Sequence, residues 1–191
     1  MKKIRIIPVL LLKNGLLVQS RNFKYHENIG NPSFAVQRFS EWMTDEIVYL
    51  DISRDSDYDY SRDDINYKKQ KNFKQIIKDV AKVTFMPLTL GGKVRTLKHI
   101  ENYLKIGADK VAINTAVLEN INFLYDAAKE FGSQSIVVSI DVKIIQKKYI
   151  VMKKCGSIKT NYEASDWSKK VSENGAGEIL LTSMDKDGTK S

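Results

Sequence analysis

Glu178-Ile179-Leu180-Leu181-Thr182-Ser183-Met184-Asp185-Lys186-Asp187-Gly188 is a short apolar run that passes directly into an aspartate- and glycine-rich loop. The same figure occurs earlier in the chain. Glu46-Ile47 opens an apolar run, Arg54 stands where Lys186 does, and Asp55 falls at the offset of Asp187. Residues 4–10 and 136–140 also correspond, each followed by a hairpin-like excursion, over 11–20 and 142–153. This repeat predicts two half-barrels, with strands one to four repeated as five to eight.

Further out from these runs, the pattern continues. Apolar, β-rich runs are expected as strands at 4–10, 47–50, 87–90, 111–113, 136–140 and 179–181. Helices are expected near 32–43, 67–83, 95–106, 118–131 and 164–174. In the fourth helix Leu118, Ile121, Leu124, Tyr125 and Ala128 fall on one face of a 3.6-residue period. Near-continuous apolar strands alternating with helices indicate a parallel sheet covered on both faces. Polar loops follow the strands: Asp51-Ile52-Ser53-Arg54-Asp55, Gly91-Gly92-Lys93, Asn114-Thr115, Asp141, and Asp185-Lys186-Asp187-Gly188. Function gathered after the strands is the habit of the (β/α)₈ barrel. No Gly-x-Gly-x-x-Gly follows the first strand, which argues against a dinucleotide fold. The expected fold is therefore a TIM barrel forming a single domain over 1–191. Strands seven and eight are absent from it, and the expectation is that the natural protein is longer and residues 1–191 alone are inactive.

Composition limits the function classes. The chain has 191 residues, 42% of them apolar, with one cysteine and a net charge of +8. A lone thiol, Cys155, cannot form an internal disulfide, and an inert residue in a hairpin is its expected role. The N-terminal apolar run is interrupted by Arg5 and Pro8, and no stretch approaches the roughly 18 apolar residues that span a membrane. A cytoplasmic protein with no membrane partner is expected. The basic clusters, Lys68-Lys69-Gln70-Lys71, Lys147-Lys148 and Lys153-Lys154, are local and lack stacking aromatics or zinc-ligand spacing. They read as solvated faces, with no nucleic acid, metal or cofactor expected. A phosphorylated small molecule suits such a surface.

Candidate chemistry sits at both ends of the strands. Gly91-Gly92 before a helix, with Asn114-Thr115 after the next strand, makes a credible phosphate site of backbone and side-chain donors. Asp51, Asp141 and Asp187 at the C-terminal rim are candidate acids and bases. The competing reading is a turn or cap, strongest for Asp187 and weakest for Asp141. At the strand starts Arg5, Glu46, Lys110 and Glu178 could ring the barrel floor, or be four unrelated surface charges.

The sequence resembles the cyclase subunit of imidazole glycerol phosphate synthase along its whole length. The resemblance is carried by Arg5-Ile6-Ile7-Pro8, Lys13-Asn14-Gly15, Asn22-Phe23, Asp45-Glu46, Leu50-Asp51-Ile52 and Gly91-Gly92. It continues through Gly107-Ala108-Asp109-Lys110-Val111, Ile113-Asn114-Thr115-Ala116, Phe131-Gly132-Ser133-Gln134 and the closing run 175–191. It implies a (β/α)₈ barrel paired as a heterodimer with a class I glutaminase. Ammonia released there would enter the barrel floor through a gate mapping onto Arg5, Glu46, Lys110 and Glu178. Asp109 maps onto a residue that docks the glutaminase. One substrate phosphate would sit near Gly92, Asn114 and Thr115, the other near Asp187 and Gly188, with Gly91 and Thr182 in the same binding rim.

Three positions depart from that family. Its essential acid–base aspartates end strands one and five. Asp141 matches the second, but Leu11 stands at the first, and leucine cannot transfer a proton. The substrate-binding lysine is Gln19 here, and Val9 replaces a cysteine. These departures, with Ile29-Gly30-Asn31-Pro32, resemble a branch linked to surface-polysaccharide genes. That branch is associated with converting an N-acetyl sugar to an acetamidino sugar, alongside a separate N-acetyl sugar amidotransferase. The leading expectation is a barrel subunit that delivers glutaminase-derived ammonia for such an amidination. The alternatives are a histidine-pathway cyclase and a non-catalytic scaffold that activates the glutaminase.

Overall fold

The computed structural model describes residues 4–53 and 72–189. Arg54, Asp55, the cluster at Lys68-Lys71 and the first part of the helix expected over 67–83 lie outside the described residues, as do Lys190 and Ser191.

Six parallel strands form the frame. They are β1 (Val9–Lys13), β4 (Ile47–Asp51), β5 (Leu88–Gly91), β6 (Lys110–Ile113), β7 (Ile136–Ile145) and β10 (Glu178–Ser183). Each pairs with the next in chain order. A doubly wound sheet reverses its strand order at a switch point, whereas this order runs in one direction, as a barrel requires. The sheet nevertheless does not close: among the described residues β1 and β10 are not paired, so the observed form is an open arc.

Alternation along the strands sets the two faces. Leu10, Leu12, Ile47, Tyr49, Leu88 and Leu90 point outward and pack on α1 (Pro32–Glu41) and α2 (Phe73–Val83) through Val36, Ile76, Ile77 and Val80. Val111, Ile113, Ile136, Val138 and Ile140 do the same with α3 (Leu97–Lys105), α4 (Thr115–Glu119), α5 (Ile121–Phe131) and α6 (Ala164–Glu173). The intervening residues, among them Val9, Val48, Thr89, Val137 and Leu180, line the inner face.

Three local expectations are corrected. Strand one begins at Val9 rather than Ile4, because Pro8 has no N–H for the ladder. The two excursions are longer than single hairpins. β2 (Leu16–Arg21) and β3 (Tyr25–Gly30) extend the first, and β8 (Lys148–Lys153) and β9 (Ile158–Glu163) extend the second. Both begin with a two-residue turn at positive φ, Asn14-Gly15 and Gln146-Lys147, the geometry that suits a tight hairpin. The helix expected over 118–131 is broken at Asn120, which leaves the helical conformation and caps α5 by accepting from the Asn122 N–H. Leu124 and Ala127 are its buried residues, while Tyr125 is exposed.

Candidate functional site

Four strand starts carry Arg5, Glu46, Lys110 and Glu178, and their side chains meet. The Lys110 ammonium donates to Glu46 Oε2 at 2.8 Å and to Glu178 Oε1 at 2.9 Å. The Arg5 guanidinium reaches the same two oxygens, at 3.3 and 3.2 Å. Each cation thus bridges both carboxylates, and the four residues close a ring of alternating charge. Glu46 is its most buried member, and Thr89 Oγ1 donates to its other oxygen at 2.6 Å. Leaving such a carboxylate unpaired costs about 3–5 kcal/mol, so the ring holds together as a unit. Burial opposes the charge on Lys110, but hydrogen bonds to both carboxylates prevail and raise its pKa. Burial likewise opposes ionisation of Glu178, and its bonds to Lys110 and Arg5 outweigh that and lower its pKa.

The ring opens onto a cavity of about 290 Å³ whose wall includes Ile7, Val9, Val48, Val137 and Leu180. Its floor is formed by Arg5, Glu46, Thr89 and Glu178 and the rest of its wall by apolar side chains, so the charged groups lie at one end only.

At the other end of the strands Asp141 is the central group. It is buried, and Asn114 Nδ2 donates to its Oδ2 at 2.8 Å. Burial pushes its pKa up to about 6, against the lowering effect of the Asn114 bond. A carboxyl with that value can both take and return a proton near neutrality. Asn114 occupies the N-cap position of α4, yet makes no capping bond, because its side chain is turned to Asp141. Thr182 is the register partner of Asp141 on β10.

The remaining rim residues divide. Asp51 is buried and paired with Lys93 at 3.2 Å, and its Oδ1 accepts from the Ser53 N–H. Gly92 sits at φ +105 with the Asp51 backbone so close that a Cβ would lie 2.3 Å from its carbonyl oxygen. Gly91 would drive a Cβ into Leu50 and Ala112. Packing alone therefore demands both glycines. Asp187 fastens a loop: its Oδ2 accepts from Ser20 Oγ at 2.7 Å and from the Phe23 N–H at 2.8 Å. A Cβ on Gly188 would meet the Ser20 carbonyl at 2.6 Å. Asp187 thus ties the loop after β10 to the segment after β2. Leu11 lies between Val18 and Leu50 in the sheet, and Gln19 is exposed on β2 opposite Glu27. Asp109 Oδ2 accepts from the Leu88 N–H at 2.8 Å.

The structure adds Thr89, Lys93 and Ser20 to these residues. Thr89 was discoverable, being the single polar side chain in the run Pro87-Leu88-Thr89-Leu90 and on its inward alternation. Lys93 and Ser20 had no such signal, since their partners lie across loops. Among the described residues no group of three or more His, Cys, Asp or Glu side chains could hold a metal. No helix among them is long and apolar enough to cross a membrane.

A family model described as histidine biosynthesis protein matches residues 5–191. Imidazole glycerol phosphate synthase subunit HisF of Sulfurisphaera tokodaii is 41% identical over 186 residues, covering 97% of this chain and 70% of the relative. The subunit of the same name from a Hydrogenobaculum species is 43% identical over 188 residues, covering 98% and 70%. That from Bacillus cereus is 40% identical over 188 residues, again covering 98% and 70%.

Proposed function

The chain belongs to the histidine biosynthesis protein family, as a HisF-like synthase subunit, and from that premise we propose that it takes ammonia from a glutaminase partner through the barrel interior and delivers it at the rim to a phosphorylated substrate. The observation that carries the proposal is the closed ring of Arg5, Glu46, Lys110 and Glu178 at the floor of a cavity whose remaining wall is largely apolar. A HisH-like glutaminase docks on the face where the strands start. Exposed Ile4, Trp42, Met43 and Phe85 lie at that end of the fold, which suits a protein partner. Asp109 adds a charged contact there.

Ammonia crosses the ring as the neutral molecule. At the rim its lone pair forms a new C–N bond to an electrophilic carbon of the substrate. The nitrogen then sheds a proton, which Asp141 accepts and later returns to a leaving oxygen. One substrate phosphate rests near Gly92, Asn114 and Thr115, and the second near Thr182 and Gly188. Asp187 serves this second site by holding its loop.

The identity of the substrate has two readings. The name of the relatives supports the cyclase step of imidazole glycerol phosphate synthase, and this is the first reading. Leu11 favours the second, amidination of an N-acetyl sugar together with a separate N-acetyl sugar amidotransferase. A cyclase that needs two carboxyl groups lacks one at this position. Ribulosyl substrate and an ammonium salt, given to the protein with its glutaminase, separate the two. Turnover by the unaltered sequence establishes the cyclase. Turnover only after Leu11→Asp with Gln19→Lys excludes it and leaves the sugar reading.

A further inference from the structure

Two aspartates outside the ring lie beside its members. Asp45 precedes Glu46, and Asp109 precedes Lys110. The Asp45 N–H donates to the Ile6 carbonyl at 3.1 Å, and Asp45 Oδ2 accepts from the Ile6 N–H at 2.9 Å. The Asp109 N–H donates to the Leu88 carbonyl at 2.8 Å, and Asp109 Oδ2 accepts from the Leu88 N–H at 2.8 Å. The same two-bond clamp is therefore built twice. In one case a side-chain oxygen satisfies the N–H of Ile6 in the lead-in to β1, in the other the N–H of Leu88, the first residue of β5.

The clamps join the segments that bear the ring. Ile6 follows Arg5, and Leu88 precedes Thr89, the donor to Glu46. Arg5 lies four residues ahead of β1, where the regular ladder has not begun. The Asp45 clamp and the Val48 N–H bond to the Pro8 carbonyl at 2.9 Å fasten this lead-in to β4. Glu178 is placed differently. The preceding Gly177 donates its N–H to the Ile136 carbonyl, and a Cβ there would strike the Ser133 carbonyl at 2.1 Å, so no side-chain clamp fits.

We propose that Asp45 and Asp109 are positioning residues of the charged ring, each clamping two strand starts so that Arg5, Glu46 and Lys110 project to common points. The functional consequence rests on the reading of the ring as the ammonia entry; the geometry does not. Asp109 keeps a second oxygen for a partner, so clamping and docking are compatible.

The test follows the Glu178 carboxyl by carbon NMR titration in the protein alone, with Asp45→Ala, Asp109→Ala and the corresponding Asn variants. Loss of a clamp frees Arg5 or Lys110 from Glu178, and the Glu178 pKa rises toward the ordinary carboxylate value. Simple removal of a nearby negative charge moves it the other way. Asparagine keeps an acceptor oxygen, so the Asn variants retain the low value. An unchanged or lower Glu178 pKa in both Ala variants overturns the proposal. Hydrogen exchange in the unaltered protein supplies a second reading if an Ala variant does not fold. The Ile6 and Leu88 N–H groups are expected to exchange roughly tenfold or more slowly than an unbonded amide, and unprotected exchange at both overturns the clamps. Neither measurement needs glutaminase or substrate, so a failed ammonia reading leaves them interpretable.

Discussion

Replacing Asp141 by asparagine is expected to stabilise the protein at neutral pH while removing the carboxyl proposed to transfer protons. The native pKa is pushed up to about 6 by burial, from an ordinary value of 3.8. A carboxyl whose native value lies above its unfolded value binds its proton more tightly in the folded state. Relative to a neutral side chain it is harmless below about pH 4 and costs stability progressively as pH rises through about 6. The difference of about two units corresponds to about 3 kcal/mol at pH 7. Asparagine is nearly isosteric, and its Oδ1 can still accept from Asn114 Nδ2, so that bond is kept. Urea unfolding of parent and variant at pH 4 and pH 7.5 measures it. The midpoints should be close at the lower pH. At the higher pH the variant's midpoint should exceed the parent's by about 1–2 M, for a slope of about 2 kcal/mol/M. A variant equal to or weaker than the parent at pH 7.5 refutes the buried carboxyl of raised pKa on which the assignment of Asp141 rests.

Two other substitutions read the rim. Gly92→Ala combines a positive φ with a Cβ 2.3 Å from the Asp51 carbonyl oxygen, and calorimetry should show a loss of at least about 2 kcal/mol. Ser20→Ala removes one of two donors to Asp187. Denaturant unfolding should register only about 1 kcal/mol, while proteolysis within residues 20–24 should speed up as the first hairpin detaches from the loop after β10.

The order of strands was legible because inward and outward faces of a parallel sheet leave a repeated apolar signature, and Glu46 and Glu178 marked equivalent places in it. The ring was legible for a related reason: charges placed at the starts of parallel strands are brought to one end by the fold itself. The meanders were harder to read. Their strands β3 and β9 are mostly polar, and the positive-φ turn at Gln146-Lys147 carries no glycine. Asn120 was hidden because α4 and α5 share one periodic apolar pattern across the break. Leu11 illustrates the opposite case: it stands out only as a departure in the family resemblance, whereas in the sheet a leucine beside Leu50 and Val18 looks like ordinary packing.

Passage of ammonia through the ring is tested by Lys110→Ala in the complex with glutaminase. Product is measured twice on the same preparation, once with glutamine and once with ammonium salt as nitrogen source. The ammonium-driven rate reports whether the variant is folded and competent. If ammonia passes the ring, the ratio of glutamine-driven to ammonium-driven rate changes by about tenfold or more, a coupling of about 1.4 kcal/mol. An unchanged ratio would contradict passage through the ring and leave the barrel as a scaffold for its partner.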